Sequence, residues 1–73
     1  MIAAERVAVV GEAIRRLPEP QRVTLTMAAA GGMTSAELAA ALGVPAGTVR
    51  YRLSEARRTL AEALGRYDDA TEK

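Results

Sequence analysis

The sequence predicts an all-α fold, a four-helix domain that contains a helix-turn-helix. Two observations lead there. Thr34-Ser35-Ala36-Glu37 opens a short alanine-rich segment that closes at Gly43-Val44-Pro45. After that turn comes Arg50 to Leu60, RYRLSEARRTL, in which arginines lie beside an apolar seam.

The first helix is expected over residues 3–17, because Val7, Val10, Ile14 and Leu17 recur at helical spacing with Arg6, Glu12, Arg15 and Arg16 around them. Pro18-Glu19-Pro20 stops it. The second helix, 20–30, takes Pro20 into its first turn, where a missing amide leaves no bond unmade. Val23, Met27 and Ala30 form its stripe with Leu25 to one side, and Gly31-Gly32 ends it. Thr34 with Glu37 is a capping-box pattern that starts the third helix, 35–42, and Gly43 is its expected terminator. Leu38 and Leu42 then face inward, and Ala39 leaves room for a close helix crossing. Val44 fills the corner, and Pro45 opens the fourth helix over 45–66. An acidic tail, 68–73, is expected to be disordered. Nothing in the 73 residues signals strands, repeats or a second domain.

Composition removes several classes of function. There is no cysteine and no histidine, so disulfide frameworks, thiol chemistry and the usual zinc sites are excluded, in keeping with a reducing cytoplasm. No apolar run approaches the roughly 20 residues of a membrane span. Acid and base candidates exist in Glu37, Glu55 and Glu62. No nucleophile, glycine-rich phosphate loop or metal-spaced cluster accompanies them, so neither an enzyme nor a cofactor is expected. The aromatics are Tyr51 and Tyr67 alone, which leaves the core to aliphatic residues and alanine.

Net charge is only +1, but its distribution is uneven. Up to Val44, Arg6, Arg15, Arg16 and Arg22 balance Glu5, Glu12, Glu19 and Glu37. From Pro45 to Tyr67, Arg50, Arg52, Arg57, Arg58 and Arg66 outweigh Glu55 and Glu62 by three. At 100° per residue Val49, Leu53, Ala56, Leu60 and Leu64 make the core seam of the fourth helix. Gly47, Arg50, Tyr51, Ser54, Arg57 and Arg58 occupy the opposite and flanking surface, a mix of guanidinium, phenol and hydroxyl that suits a DNA major groove. The plainer reading is a solvated face laced by pairs such as Arg58 with Glu62 and Glu62 with Arg66.

Four segments together resemble the C-terminal DNA-binding region, region four, of bacterial RNA polymerase sigma factors of the extracytoplasmic-function type. They are Ala13 to Arg22 (AIRRLPEPQR), Gly32 to Ala39 (GMTSAELA), Gly43 to Arg50 (GVPAGTVR) and Arg52 to Leu60 (RLSEARRTL). The resemblance spans about Ala13 to Leu64. It implies a four-helix domain of the winged-helix-like superfamily, acting in transcription initiation and its regulation. Its last helix would enter the minus-35 element of double-stranded promoter DNA. Its earlier helices would hold the beta-subunit flap of the RNA polymerase core or an anti-sigma factor. Carried over by position, Arg50, Tyr51 and Ser54 would face base edges. Ala46, Gly47, Thr48, Arg57 and Arg58 would lie near backbone or bases, and Arg22 matches a position that approaches phosphate. The domain alone is expected to be a monomer.

This chain departs from the family's usual pattern at Tyr51, where a small serine or threonine is more common, and over Thr24 to Ala30, which lacks bulky acidic character. The family's promoter-melting domain has no counterpart in these residues, so the sequence reads as an excised domain or a stand-alone module. Two other readings share the four-helix plan. A LuxR-type response-regulator output domain would dimerise and read paired half-sites. A helical interaction module would bind an anti-sigma or polymerase subunit through an exposed apolar groove among Val23, Met27 and Leu38.

Overall fold

The computed structural model describes residues 2–71, which fold as α1 (Ile2–Arg16), α2 (Glu19–Ala30), α3 (Ser35–Leu42) and α4 (Ala46–Thr71), with no strand among them. Twenty-six residues at 1.5 Å each make α4 about 39 Å long, most of the 45 Å length of the molecule, and the other three helices all pack against it. Its first half lies under α2 and α3. Its second half lies beside α1 alone, in an antiparallel pair that joins Glu5 and Arg6 to Tyr67 and Asp68.

Leu17 leaves α1 because the following proline disfavours helical backbone, and its N–H closes a last tight turn on the Ile14 carbonyl at 3.1 Å. Pro18 precedes α2, its carbonyl accepting the Arg22 N–H at 3.0 Å, and Pro20 falls in the first turn of that helix as its chemistry requires. Gly31 and Gly32 both take positive φ, 103° and 87°, so the reversal into α3 uses backbone that other residues adopt only with strain.

The core is Leu38 and Ala39 of α3 with Val49 and Leu53 of α4, and Leu25, Met27, Ala28, Leu42, Val44 and Ala46 pack around it. Val49 and Ala56 are wholly buried. Leu60 and Leu64 continue the seam of α4 but are only half-buried, because one helix rather than two covers them.

Three expectations need correction. The stripe of α2 is rotated: Thr24 is the residue fully inside, Val23 is exposed and Ala30 lies at the surface. Hydropathy misses this because the Thr24 hydroxyl donates to the Pro20 carbonyl one turn back at 2.7 Å, so a polar side chain is buried with its donor satisfied. Ala13 of α1 and Leu17 just beyond its end are buried while Val7 is 71% exposed, since this helix packs chiefly against α4. The tail is helical through residue 71, held by Arg6 on Asp68, with residues 72–73 outside the described residues. In addition, α4 starts at Ala46 rather than Pro45. Pro45 instead supplies the carbonyl that opens the helix, accepting the N–H groups of Thr48 at 3.0 Å and Val49 at 3.3 Å.

Candidate nucleic-acid interface

Local chemistry sets the interface. The Thr34 hydroxyl accepts the Glu37 N–H at 3.1 Å, and the Glu37 carboxylate accepts the Thr34 N–H at 2.8 Å, which closes the capping box and fixes the start of α3. At the other end Gly43 sits in left-handed backbone (φ 71°, ψ 34°). Both the Gly43 and Val44 N–H groups reach the Ala39 carbonyl, at 2.8 and 3.1 Å. This turn aims α4 across α3, and burial of Val49 and Leu53 fixes its rotation.

With that rotation set, Gly47, Arg50, Tyr51, Ser54, Arg57 and Arg58 are all exposed, and Tyr51 presents 64% of its surface. Arg50 and Arg57 are brought together: with Ala28, Met33, Ser35 and Leu53 they line one shallow depression between the start of α3 and the flank of α4. The Arg50 Nη2 lies 3.8 Å from the position a Cβ would take on Gly47, so that guanidinium arches back over the first turn of α4. Sequence reasoning missed Ser35 and Met33 as neighbours of these arginines, although the capping box had already placed that helix start next to the basic element.

Arg58 stands differently. Its guanidinium donates to the Glu55 carboxylate and, at 3.4 Å, to Glu62, which are paired with it in preference to Arg66. Glu55 first and Glu62 after it raise the Arg58 pKa above the ordinary guanidinium value. Ala46 is half-buried against the core and Thr48 is half-buried as well. Arg22 is separate from this group: its Nη1 points to the Leu17 carbonyl at 3.5 Å, toward the open end of α1.

The apolar groove expected among Val23, Met27 and Leu38 is not open. Leu38 is 1% exposed beneath the crossing of α3 and α4, and Met27 packs onto the same cluster, so only Val23 of the three lies at the surface. No helix among the described residues is long and apolar enough to cross a membrane.

A capped short helix, a left-handed glycine turn and a second helix with a cationic outer face define a helix-turn-helix of the DNA-binding class. The family model for Sigma-70, region 4 matches residues 8–60, and the chain belongs to that family. Among curated proteins it is similar to the ECF RNA polymerase sigma factor RpoE of Cereibacter sphaeroides, 49% identical over 43 residues, covering 59% of this chain and 24% of that protein. It is also similar to the RNA polymerase sigma-H factor of Pseudomonas aeruginosa, 36% identical over 64 residues, 88% of this chain and 33% of that protein. The chain thus spans about a quarter to a third of the length of these relatives. No solved structure matches it.

Proposed function

We propose that this domain reads the minus-35 element of a promoter by laying the first half of α4 in the major groove, as the DNA-binding end of a sigma factor that directs RNA polymerase. The observation that carries the reading is the outward cluster of Arg50, Tyr51, Ser54 and Arg57 beside the capped start of α3. Arg50 and Arg57 supply charge for phosphate or for the acceptor edge of guanine, and Tyr51 and Ser54 present hydroxyls to base edges. Gly47 is exposed and has no side chain to hold the duplex away.

A handful of guanidinium groups gives binding that weakens steeply with salt. Tight occupancy then comes from tethering to the polymerase core through its beta flap, which makes the DNA contact intramolecular. An anti-sigma factor would act by covering the same domain. Leu38 is unavailable to either partner, so a protein contact falls on exposed residues such as Val23 and Met33.

The test is selection of random duplexes on the immobilised domain at low salt, followed by titration against the winner and a scrambled control. A single short non-palindromic site is the expected result. A palindrome would favour the paired half-sites of a LuxR-type domain, and absence of enrichment would shift the weight to protein partners. With the selected site in hand, Arg50→Ala is expected to narrow the gap between cognate and scrambled DNA, whereas Arg57→Ala weakens both. Equal losses in both variants would overturn that division.

A further inference from the structure

On α4 the residues Tyr51, Glu55, Arg58 and Glu62 fall within about 60° of arc at 100° per residue, so they form one outward stripe. Arg50 and Arg57 lie on one flank of that stripe, roughly 100° to 120° round the helix by the same geometry. Along the stripe the Arg58 guanidinium is held by Glu55 and Glu62. The three charges sum to minus one at the place where a nucleic acid would approach, while Arg50 and Arg57 on the flank form no ion pair with a carboxylate among the described residues.

We propose that Glu55 and Glu62 act as an electrostatic brake on the DNA-binding face: they occupy Arg58, so that the residue contributes charge balance within α4 rather than a phosphate contact, and they turn the duplex toward the Arg50 and Arg57 flank. The proposal rests on the duplex-binding reading above. Each phosphate neutralised by the protein releases counterions, and a guanidinium already compensated by two carboxylates adds nothing to that count. The brake is graded rather than absolute. Arg58 and Glu62 are more than half exposed, and ion pairs in water are weak enough for a phosphate to compete with them. Attraction on the flank, with Arg58 withheld from the duplex along the stripe, sets the roll of the helix in the groove, and with it the base edges that Tyr51 and Ser54 reach.

Four proteins decide the matter: the native domain, Glu55→Gln with Glu62→Gln, Arg58→Gln alone, and all three changes together, each titrated against the selected duplex over a range of salt. Glutamine keeps the length and helix propensity of these exposed positions, and far-ultraviolet circular dichroism checks that the fold is retained. The paired glutamine variant is expected to bind at least about fivefold more tightly at low salt, with a log affinity against log salt slope steeper by about one. Arg58→Gln in the native background is expected to change affinity by less than about twofold, and in the paired background to abolish the gain and the extra slope. A gain that survives Arg58→Gln would reveal simple repulsion by the carboxylates, and an equal loss from Arg58→Gln in both backgrounds would make Arg58 a direct phosphate ligand. Either result overturns the brake while leaving the duplex reading intact. Absence of binding by all four proteins overturns both.

Discussion

Arg6 near the start of α1 and Asp68 near the end of α4 form an ion pair across 62 positions of sequence. One residue away on each helix, the Tyr67 hydroxyl donates to the Glu5 carboxylate over the same separation. These two contacts fasten the thin end of the molecule, where α4 has only α1 beside it. Beyond Leu64 the last turns of α4 carry little apolar surface, so the cross-links decide whether those turns remain helical.

Asp68→Asn removes the charge on which Arg6 depends. Faster amide exchange is expected from about Arg66 to Ala70, by roughly twofold to fivefold, with the amides of Leu53 and Ala56 unchanged. Hydrogen exchange followed by NMR reads this directly. Unchanged protection at Tyr67 and Asp69 would show that helix propensity alone holds the end.

The same contact gives a pH dependence. Hydrogen bonding to the Glu5 carboxylate, reinforced by partial burial and by the negative charge of Glu5, raises the Tyr67 pKa above its ordinary value. A folded-state value above the unfolded one means that the contribution to stability is full below about pH 10, where the free phenol titrates, and is lost as pH rises through the raised value. In a Tyr51→Phe background, phenolate absorbance reports Tyr67 alone. Glu5→Ala is expected to move that titration to lower pH, and an unmoved curve would show that Glu5 is not the partner in solution. On the acid side Glu12 behaves oppositely: Arg15 first and Arg16 with it hold its carboxyl below the ordinary range, so its contribution is present above about pH 4.5 and fades on acidification.

The turn that aims α4 is open to two substitutions. Nothing lies within 4 Å of a Cβ built on Gly43, so Gly43→Ala carries only the conformational penalty of left-handed backbone, about 1 to 2 kcal/mol. Thr34→Ala removes one half of the capping box and is expected to cost about 1 kcal/mol. Thermal or urea unfolding measures both. The sites are on opposite ends of α3 and share no partner, so the double variant should show the sum, and a large departure from additivity would mean that α3 folds as a unit coupled to the turn.

Legibility from sequence follows the range of the forces. The capping box at Thr34, the terminator at Gly43 and the seam of Val49, Leu53 and Ala56 are local or periodic signals, and each was readable from residues within a few positions of one another. The exposed arginines followed once the seam fixed the rotation of α4. What the sequence hid depends on partners distant along the chain. Helix at residues 68–71 is met by Arg6 from the far end of the chain, and the rotation of α2 that buries Thr24 rather than Val23 depends on how that helix packs on α4. The engagement of Arg58 by Glu55 was a choice among several neighbours at i,i+3 and i,i+4 spacing, which periodicity does not rank.

Thr24 shows how a buried polar residue escapes a hydropathy reading and how its role is divided. It is wholly buried, and its hydroxyl donates to the Pro20 carbonyl, an oxygen that helical geometry already supplies with the Thr24 N–H. Thr24→Val keeps the branched shape and removes the donor together with its need for an acceptor, so no group is orphaned, and stability is expected to change by less than about 1 kcal/mol in either direction. Thr24→Ala leaves a void at a wholly buried position and is expected to cost about 1 to 1.5 kcal/mol, because the surrounding structure closes around it only in part. If urea denaturation ranks the two variants the other way, the hydroxyl rather than the shape is what this position contributes. The Thr24–Pro20 bond would then hold the first turn of α2 against the proline that starts it.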